Sequence, residues 1–182
     1  MKETILLVVD VQNGLVDAKP FAGDTVIANI GILEKKCRAA GVEVAFVQHD
    51  GRPGDELEPG AWGWEIHRDV APARGEQIFR KKFNSAFKET DLKAYFDQKN
   101  VGTIILVGMQ TEYCIDTTCR VAFELGYQII IPDMTNTTFD NGELSAAQVY
   151  QYHNQRLFKN RFATVVPLED ALEMIEKIGR LN

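Results

Sequence analysis

Val101-Gly-Thr-Ile-Ile-Leu-Val107, continuing directly into Gly108-Met-Gln-Thr-Glu-Tyr-Cys114, decides how this chain reads. Residues 104–107 are apolar without alternation, the pattern of a strand buried on both faces. A glycine ends the run, and six residues later stands a cysteine. The residues beyond it read as a helix reaching Leu125, where Gly126 stops it. Cysteine is a small hydrophobe and is often simply buried. At a helix N-terminus, however, the dipole and the free backbone amides favour thiolate and lower the thiol pKa below ~8.5. Whether Cys114 is packing or nucleophile depends on what the rest of the chain brings to it.

Outward from this stretch, strand-length apolar runs alternate with helical patterns. Runs at 5–9, 42–47, 77–80, 127–131 and 163–166 read as five further strands. Between them, 24–40, 88–98, 145–158 and 168–178 read as helices. In the first of these, Val26, Ile27, Ile30, Leu33 and Cys37 trace one face, and Gly41 closes it. Residues 50–76 hold five glycines, three prolines, Trp62 and Trp64, the composition of a long ordered loop or lid. Continuous Ile/Val/Leu strands alternating with helices predict a parallel sheet covered on both faces. The expected fold is therefore a three-layer α/β/α sandwich on a mainly parallel, Rossmann-like sheet of six strands, formed by a single domain over 1–182.

Composition removes several function classes. The net charge of −6 offers no basic footprint for nucleic acid or for an anionic membrane. Five apolar residues before Asp10 are too few for a signal peptide or a membrane span, so the expected location is the cytoplasm. Three cysteines without a Cys-x-x-Cys spacing argue against a disulfide framework or a zinc site. The first strand–helix turn, Asp-Val-Gln-Asn-Gly-Leu, lacks the Gly-x-Gly-x-x-Gly that a dinucleotide needs.

Ligands of open α/β sheets sit beyond the carboxyl ends of the strands. Asp10 and Gln12 follow the first strand there, His49 and Asp50 the second, and Lys81 and Lys82 the third. Residues 109–114 follow the fourth, and Asp133 to Thr138 the fifth. A lysine beside Cys114 would favour thiolate, and a carboxylate could hold that lysine and carry a proton between thiol and substrate. Asp10, Lys81 and Cys114 supply those types from three strands. Cys37 reads as core, Cys119 as packed or half-exposed, His153 as structural or interfacial, and Asp133 with Thr135–Thr138 as turn chemistry.

Three stretches, LLVVDVQNGL, RKKFNSAFKETDL and ILVGMQTEYCIDTTCRVAFELGY, resemble the signatures of the isochorismatase-like cysteine hydrolases, with weaker similarity over nearly the whole chain. That superfamily includes nicotinamidases, carbamoylsarcosine amidases and other amide hydrolases. The resemblance implies a catalytic Asp10, a catalytic Cys114, and a lysine four residues before Ser85. That lysine is Lys81, with Lys82 as runner-up. It also implies a non-proline cis peptide at Met109–Gln110, aiming the Gln110 and Cys114 amides at an oxyanion. Gln12, His49, Trp62 and Tyr113 are the candidates for the substrate pocket.

The nicotinamidase metal pattern, Asp-x-His, is replaced by Gln48-His49-Asp50-Gly51, so no metal and no other cofactor is expected. His49, Asp50 and His67 are the side chains to check for one. The expected activity is a cofactor-independent hydrolysis of a small-molecule amide or related C–N bond through a Cys114 thioester. The alternative is a non-catalytic binding or assembly protein on the same fold. The expected partners are a small-molecule substrate, no nucleic acid and no membrane, in a homodimer or homotetramer.

Overall fold

A computed structural model describes residues 2–180. Its strands are β1 (Glu3–Val9), β2 (Glu43–His49), β3 (Gln77–Lys81), β4 (Val101–Met109), β5 (Gln128–Pro132), β6 (Asn136–Thr137) and β7 (Thr164–Val166). The path through the sheet is β3-β2-β1-β4-β5-β7, and every pairing is parallel. The six expected strands are all present. The two-residue β6 is an addition, pairing Gly108 with Asn136 and Met109 with Thr137. Two residues are too few for any periodicity, so no strand signal marks them.

Alternate side chains of the central strands feed two cores. Ile5, Leu7, Val9, Ile104 and Leu106 face α3 (Leu92–Gln98) and α4 (Asp116–Glu124) through Phe96, Ile115 and Cys119. Leu6, Val8, Ile105, Val107 and Met109 face α2 (Gly23–Ala40) and α6 (Leu168–Gly179) through Ile30, Leu33, Cys37 and Ile175. Strands buried on both faces are why their sequence runs apolar without alternation. Cys37 is fully buried, as read, and Cys119 is packed just as deeply, not half-exposed. None of the helices is long and apolar enough to cross a membrane, among the described residues.

Three boundaries differ from the sequence reading. A one-turn helix, α1 (Asn13–Asp17), follows β1 directly. The helix expected from residue 88 starts at Leu92, because 82–91 forms turns in which Glu89 takes a positive φ of 56°. The helix expected over 145–158 is α5 (Ala146–Tyr152) running into a π-helical segment, His153–Phe158. Its start at residue 145 is where the sequence reading put it, and the structure closes it with a capping box, Ser145 with Gln148.

Candidate active site

Chain order puts β2 and β3 on one side of β1 and β4, β5 and β7 on the other. The direction of winding therefore reverses between β1 and β4, where doubly wound sheets open a crevice. Asp10 and Gln110 are the first residues past those two strand ends. Val9 pairs with Gly108, and the two backbones leave no room for a side chain between them. A Cβ on Gly108 would lie 2.0 Å from the Val9 carbonyl oxygen, and its φ is 122°. Asp10 itself has a φ of 53° and donates its amide to the Val47 carbonyl at 2.9 Å, which turns its side chain out of strand register.

Lys81 is the last residue of β3 and reaches past β2 to the same point, with only 2 % of its surface exposed. Its ammonium lies 2.6 Å from Asp10 Oδ2, 3.1 Å from Cys114 Sγ and 3.3 Å from His49 Nδ1. An ammonium has three protons and no lone pair, so these three acceptors satisfy it completely. Lys82 is exposed. Burial alone would lower the Lys81 pKa, but the Asp10 carboxylate and Cys114 outweigh it and hold the net shift upward. The lysine is thus a cation at any physiological pH.

Cys114 departs from its expected ionisation. Burial, and then the Asp10 charge, push its thiol up to about 12, although Lys81 opposes them. The positive charge that was to favour thiolate is already neutralised by Asp10, and a helix terminus does not compensate for lost water. The resting sulfur is a thiol. Cys37 and Cys119 are pushed to the same value by burial, so acidity does not distinguish Cys114; its neighbours do. Asp10 Oδ2 is held by Lys81, whereas Oδ1 is buried without a hydrogen-bond partner. Such an orphaned carboxylate oxygen is a proton acceptor waiting for a donor.

The segment carrying the cysteine is a π-helical turn, Thr111–Ile115, entered through a cis Met109–Gln110 peptide. Within it the Gln110 carbonyl accepts from the Tyr113 and Ile115 amides, at 3.1 Å each. The intervening Cys114 amide is not among its donors. The turn is braced from behind by a feature the sequence reading missed. Thr111 Oγ1 donates to Asn136 Oδ1 at 2.7 Å, and Asn136 exchanges two amide hydrogen bonds with Asn154, at 2.9 and 3.1 Å. All three residues are fully buried. Asn136 lies in the segment read as turn chemistry, and an asparagine mid-way through an amphipathic helix, Asn154, was the available signal.

The pocket candidates divide. His49 is brought to Lys81. Gln12 is buried and its amide is engaged with backbone: Nε2 donates to the carbonyls of His49 (3.0 Å) and Trp64 (2.8 Å), and Oε1 accepts from the His49 amide at 2.9 Å. It ties β1 to β2 and to the 50–76 segment. Tyr113 stands half-exposed beside the cysteine. Trp62 is 67 % exposed and donates to Asp17 Oδ2, whereas Trp64 donates to Asp50 and lies under the Arg80 guanidinium.

The side chains checked for a metal do not meet. Asp50 is held by Trp64 and Arg80, and His67 Nδ1 accepts from the Asp69 amide. Among the described residues no three His, Cys, Asp or Glu side chains are grouped for a cation. A groove of about 520 Å³ lies between β5, β7 and α6, but none of Asp10, Lys81 and Cys114 lines it.

Known proteins share this arrangement of elements. The family model described as the isochorismatase domain matches residues 4–170. A streptothricin hydrolase of Streptomyces noursei is 36 % identical over 138 residues, which is 74 % of this chain and 50 % of that protein. The chain therefore spans about half the length of that relative. Nicotinamidase 3 of Arabidopsis thaliana is 30 % identical over 161 residues, covering 80 % of this chain and 78 % of its own. A crystal structure of an isochorismatase family protein superposes with a TM-score of 0.84 at 31 % identity, covering 91 % of this chain and 99 % of that one.

Proposed function

Because the chain belongs to the isochorismatase family, we propose that it is a cysteine hydrolase that cleaves a small-molecule amide or related C–N bond through a Cys114 thioester. One observation carries the reading: a single buried ammonium bridges Asp10 Oδ2 and Cys114 Sγ, at 2.6 and 3.1 Å. A packing cysteine has no use for such a bridge.

The sequence of steps follows from the protonation states. Cys114 rests as a thiol, so attack and proton loss go together: Sγ bonds to the substrate carbonyl carbon as its proton passes to Asp10 Oδ1, the oxygen without a partner. Lys81 stays charged, holds Asp10 through Oδ2, and stabilises negative charge as it appears on sulfur. The Gln110 and Cys114 amides, one at the N-cap of the π-helical turn and the other within it, hold the oxyanion. Asp10 then gives its proton to the departing nitrogen, the C–N bond breaks, and a thioester remains. Water attacks that thioester, Asp10 takes a proton from the water, and the proton returns to Sγ as the acid leaves. Every proton is accounted for within Asp10 and Cys114.

The streptothricin hydrolases and nicotinamidase are named for different substrates, so the family leaves the amide itself open. The full proposal is a single hydrolase domain, cytoplasmic, assembled as a homodimer or homotetramer; light scattering reads the assembly. The reaction is tested by incubating the protein with a panel of small amides, quenching, and mapping adducts by peptide mass spectrometry. An acyl adduct on Cys114 that decays to free acid is the expected result. Turnover that persists in Cys114→Ala overturns the mechanism.

A further inference from the structure

His49 is the third acceptor on the Lys81 ammonium, and the mechanism above gives it no task. Its backbone is fixed from both sides by one glutamine: the His49 amide donates to Gln12 Oε1 and the His49 carbonyl accepts from Gln12 Nε2. Its neighbour Asp50 is pinned by Arg80 and Trp64. The imidazole therefore projects from a rigid strand end, two hydrogen-bond lengths from Sγ by way of Nζ.

The chemistry of the contact fixes the ring. Lysine only donates, so Nδ1 must present its lone pair, and a neutral imidazole accepting at Nδ1 carries its proton on Nε2. The charged and titratable groups around the ring are Lys81, Asp10, Asp50 and Asp55. Burial and the Lys81 charge favour the neutral form, against the three carboxylates. Among the described residues the ring makes that one hydrogen bond, through Nδ1, and His49 is only partly buried. The same contact removes His49 as a metal ligand, since its one lone pair is held by the lysine.

From this geometry we propose that His49 is a specificity-determining residue: a neutral imidazole whose Nε2–H donates a hydrogen bond to an oxygen acceptor of the substrate adjoining the scissile carbonyl. The proposal rests on the hydrolase reading of Cys114. It favours substrates with a carbonyl, carboxylate or hydroxyl oxygen next to the cleaved bond, and disfavours those with only a cation there.

Two measurements test it on the full chain. Long-range ¹H–¹⁵N correlation spectra, with His49 assigned by its loss in His49→Gln, report the tautomer directly. The Nε2–H neutral form at pH 7 is expected; an imidazolium or an Nδ1–H form there overturns the proposal. Second, Cys114 alkylation is timed at one pH with iodoacetamide, which has a carbonyl acceptor, and with methyl iodide, which has none. In His49→Ala the iodoacetamide rate should fall about tenfold, the worth of one hydrogen bond, while the methyl iodide rate holds. His49→Gln, which keeps an N–H near the Nε2 position, should recover part of the loss. Equal effects on both reagents mean that His49 acts on the thiol, which overturns this inference and leaves the hydrolase reading standing. A wild-type Cys114 no faster than Cys37 and Cys119 with either reagent removes the hydrolase reading, and this inference with it.

Discussion

Lys81 Nζ and Asp10 Oδ2 form an ion pair 2.6 Å long whose side chains are 0 % and 2 % exposed. Two charges this far from water are held by each other, and removing either partner strands the other. Breaking such a pair costs about 3–5 kcal/mol, whereas replacing both ends with neutral groups is often harmless. Lys81→Met should lower folding stability by about 3 kcal/mol in urea titrations. Adding Asp10→Asn should return most of it. Neither protein should form an acyl adduct on Cys114. A double variant no more stable than Lys81→Met would mean that the lysine contributes packing and not charge.

The Asp10→Asn variant alone separates acidity from catalysis. Asp10 is the second-largest cause, after burial, of the upward shift of the Cys114 thiol, so removing its charge must lower that pKa. Alkylation by iodoacetamide should then rise at lower pH than in the wild type. Amide hydrolysis should nevertheless fall by at least about 100-fold, because the proton acceptor is gone. In the wild type, the pushed-up thiol predicts an alkylation rate still climbing above pH 9. A wild-type plateau near neutral pH would show a resting thiolate instead.

The fold, and the meeting of Asp10, Lys81 and Cys114 at one edge of the sheet, were legible in the sequence for one physical reason: both follow from strand burial and strand ends. Residues 104–107 cannot be half-exposed, and once they are central, Asp10 and Cys114 share an edge of the sheet. The bracing of the turn was not legible in the same way. Asn136 and Asn154 are 18 residues apart and meet only because β6 pairs with β4, a pairing of two residues that leaves no periodic trace. The thiol's ionisation was misread because helix position and a nearby lysine are visible in sequence, whereas burial and the charge balance of Asp10 against Lys81 are not. Gln12 shows a third limit: an amide at a strand end looks available until the backbone groups it binds are placed around it.

Gly108 carries a prediction that depends on the backbone alone. A Cβ there would sit 2.0 Å from the Val9 oxygen, and β1 cannot retreat without breaking its ladder with β4. Positive φ adds strain for any residue with a side chain. Gly108→Ala should cost about 3 kcal/mol or more, read as a lowered urea midpoint, and should displace Asp10 from Cys114. A folded variant that still alkylates at the wild-type rate would show that the β1–β4 spacing tolerates more than this contact implies.

Outside the cluster of Asp10, Lys81 and Cys114, Glu34 makes stability depend on pH. It is buried on α2, its Oε1 lacks a partner, and Oε2 receives only a 3.3 Å contact from Arg38, whose stronger bonds go to Glu76. Burial is the main cause of a carboxyl pKa raised from 4.5 to about 7; Arg38 and Lys35 oppose it and Glu76 adds to it. A carboxyl raised on folding binds more protons in the native state than in the unfolded one. Its contribution is therefore fully present below pH 4.5 and is lost as pH rises toward 7, beyond which it is flat. Glu34→Gln removes that loss while keeping an oxygen for Arg38. The variant should match the wild type near pH 4, exceed it by about 1 kcal/mol or more at pH 8, and leave Cys114 chemistry untouched. Urea unfolding at the two pH values measures the difference, and an advantage equal at both would place the effect in packing, not in the charge.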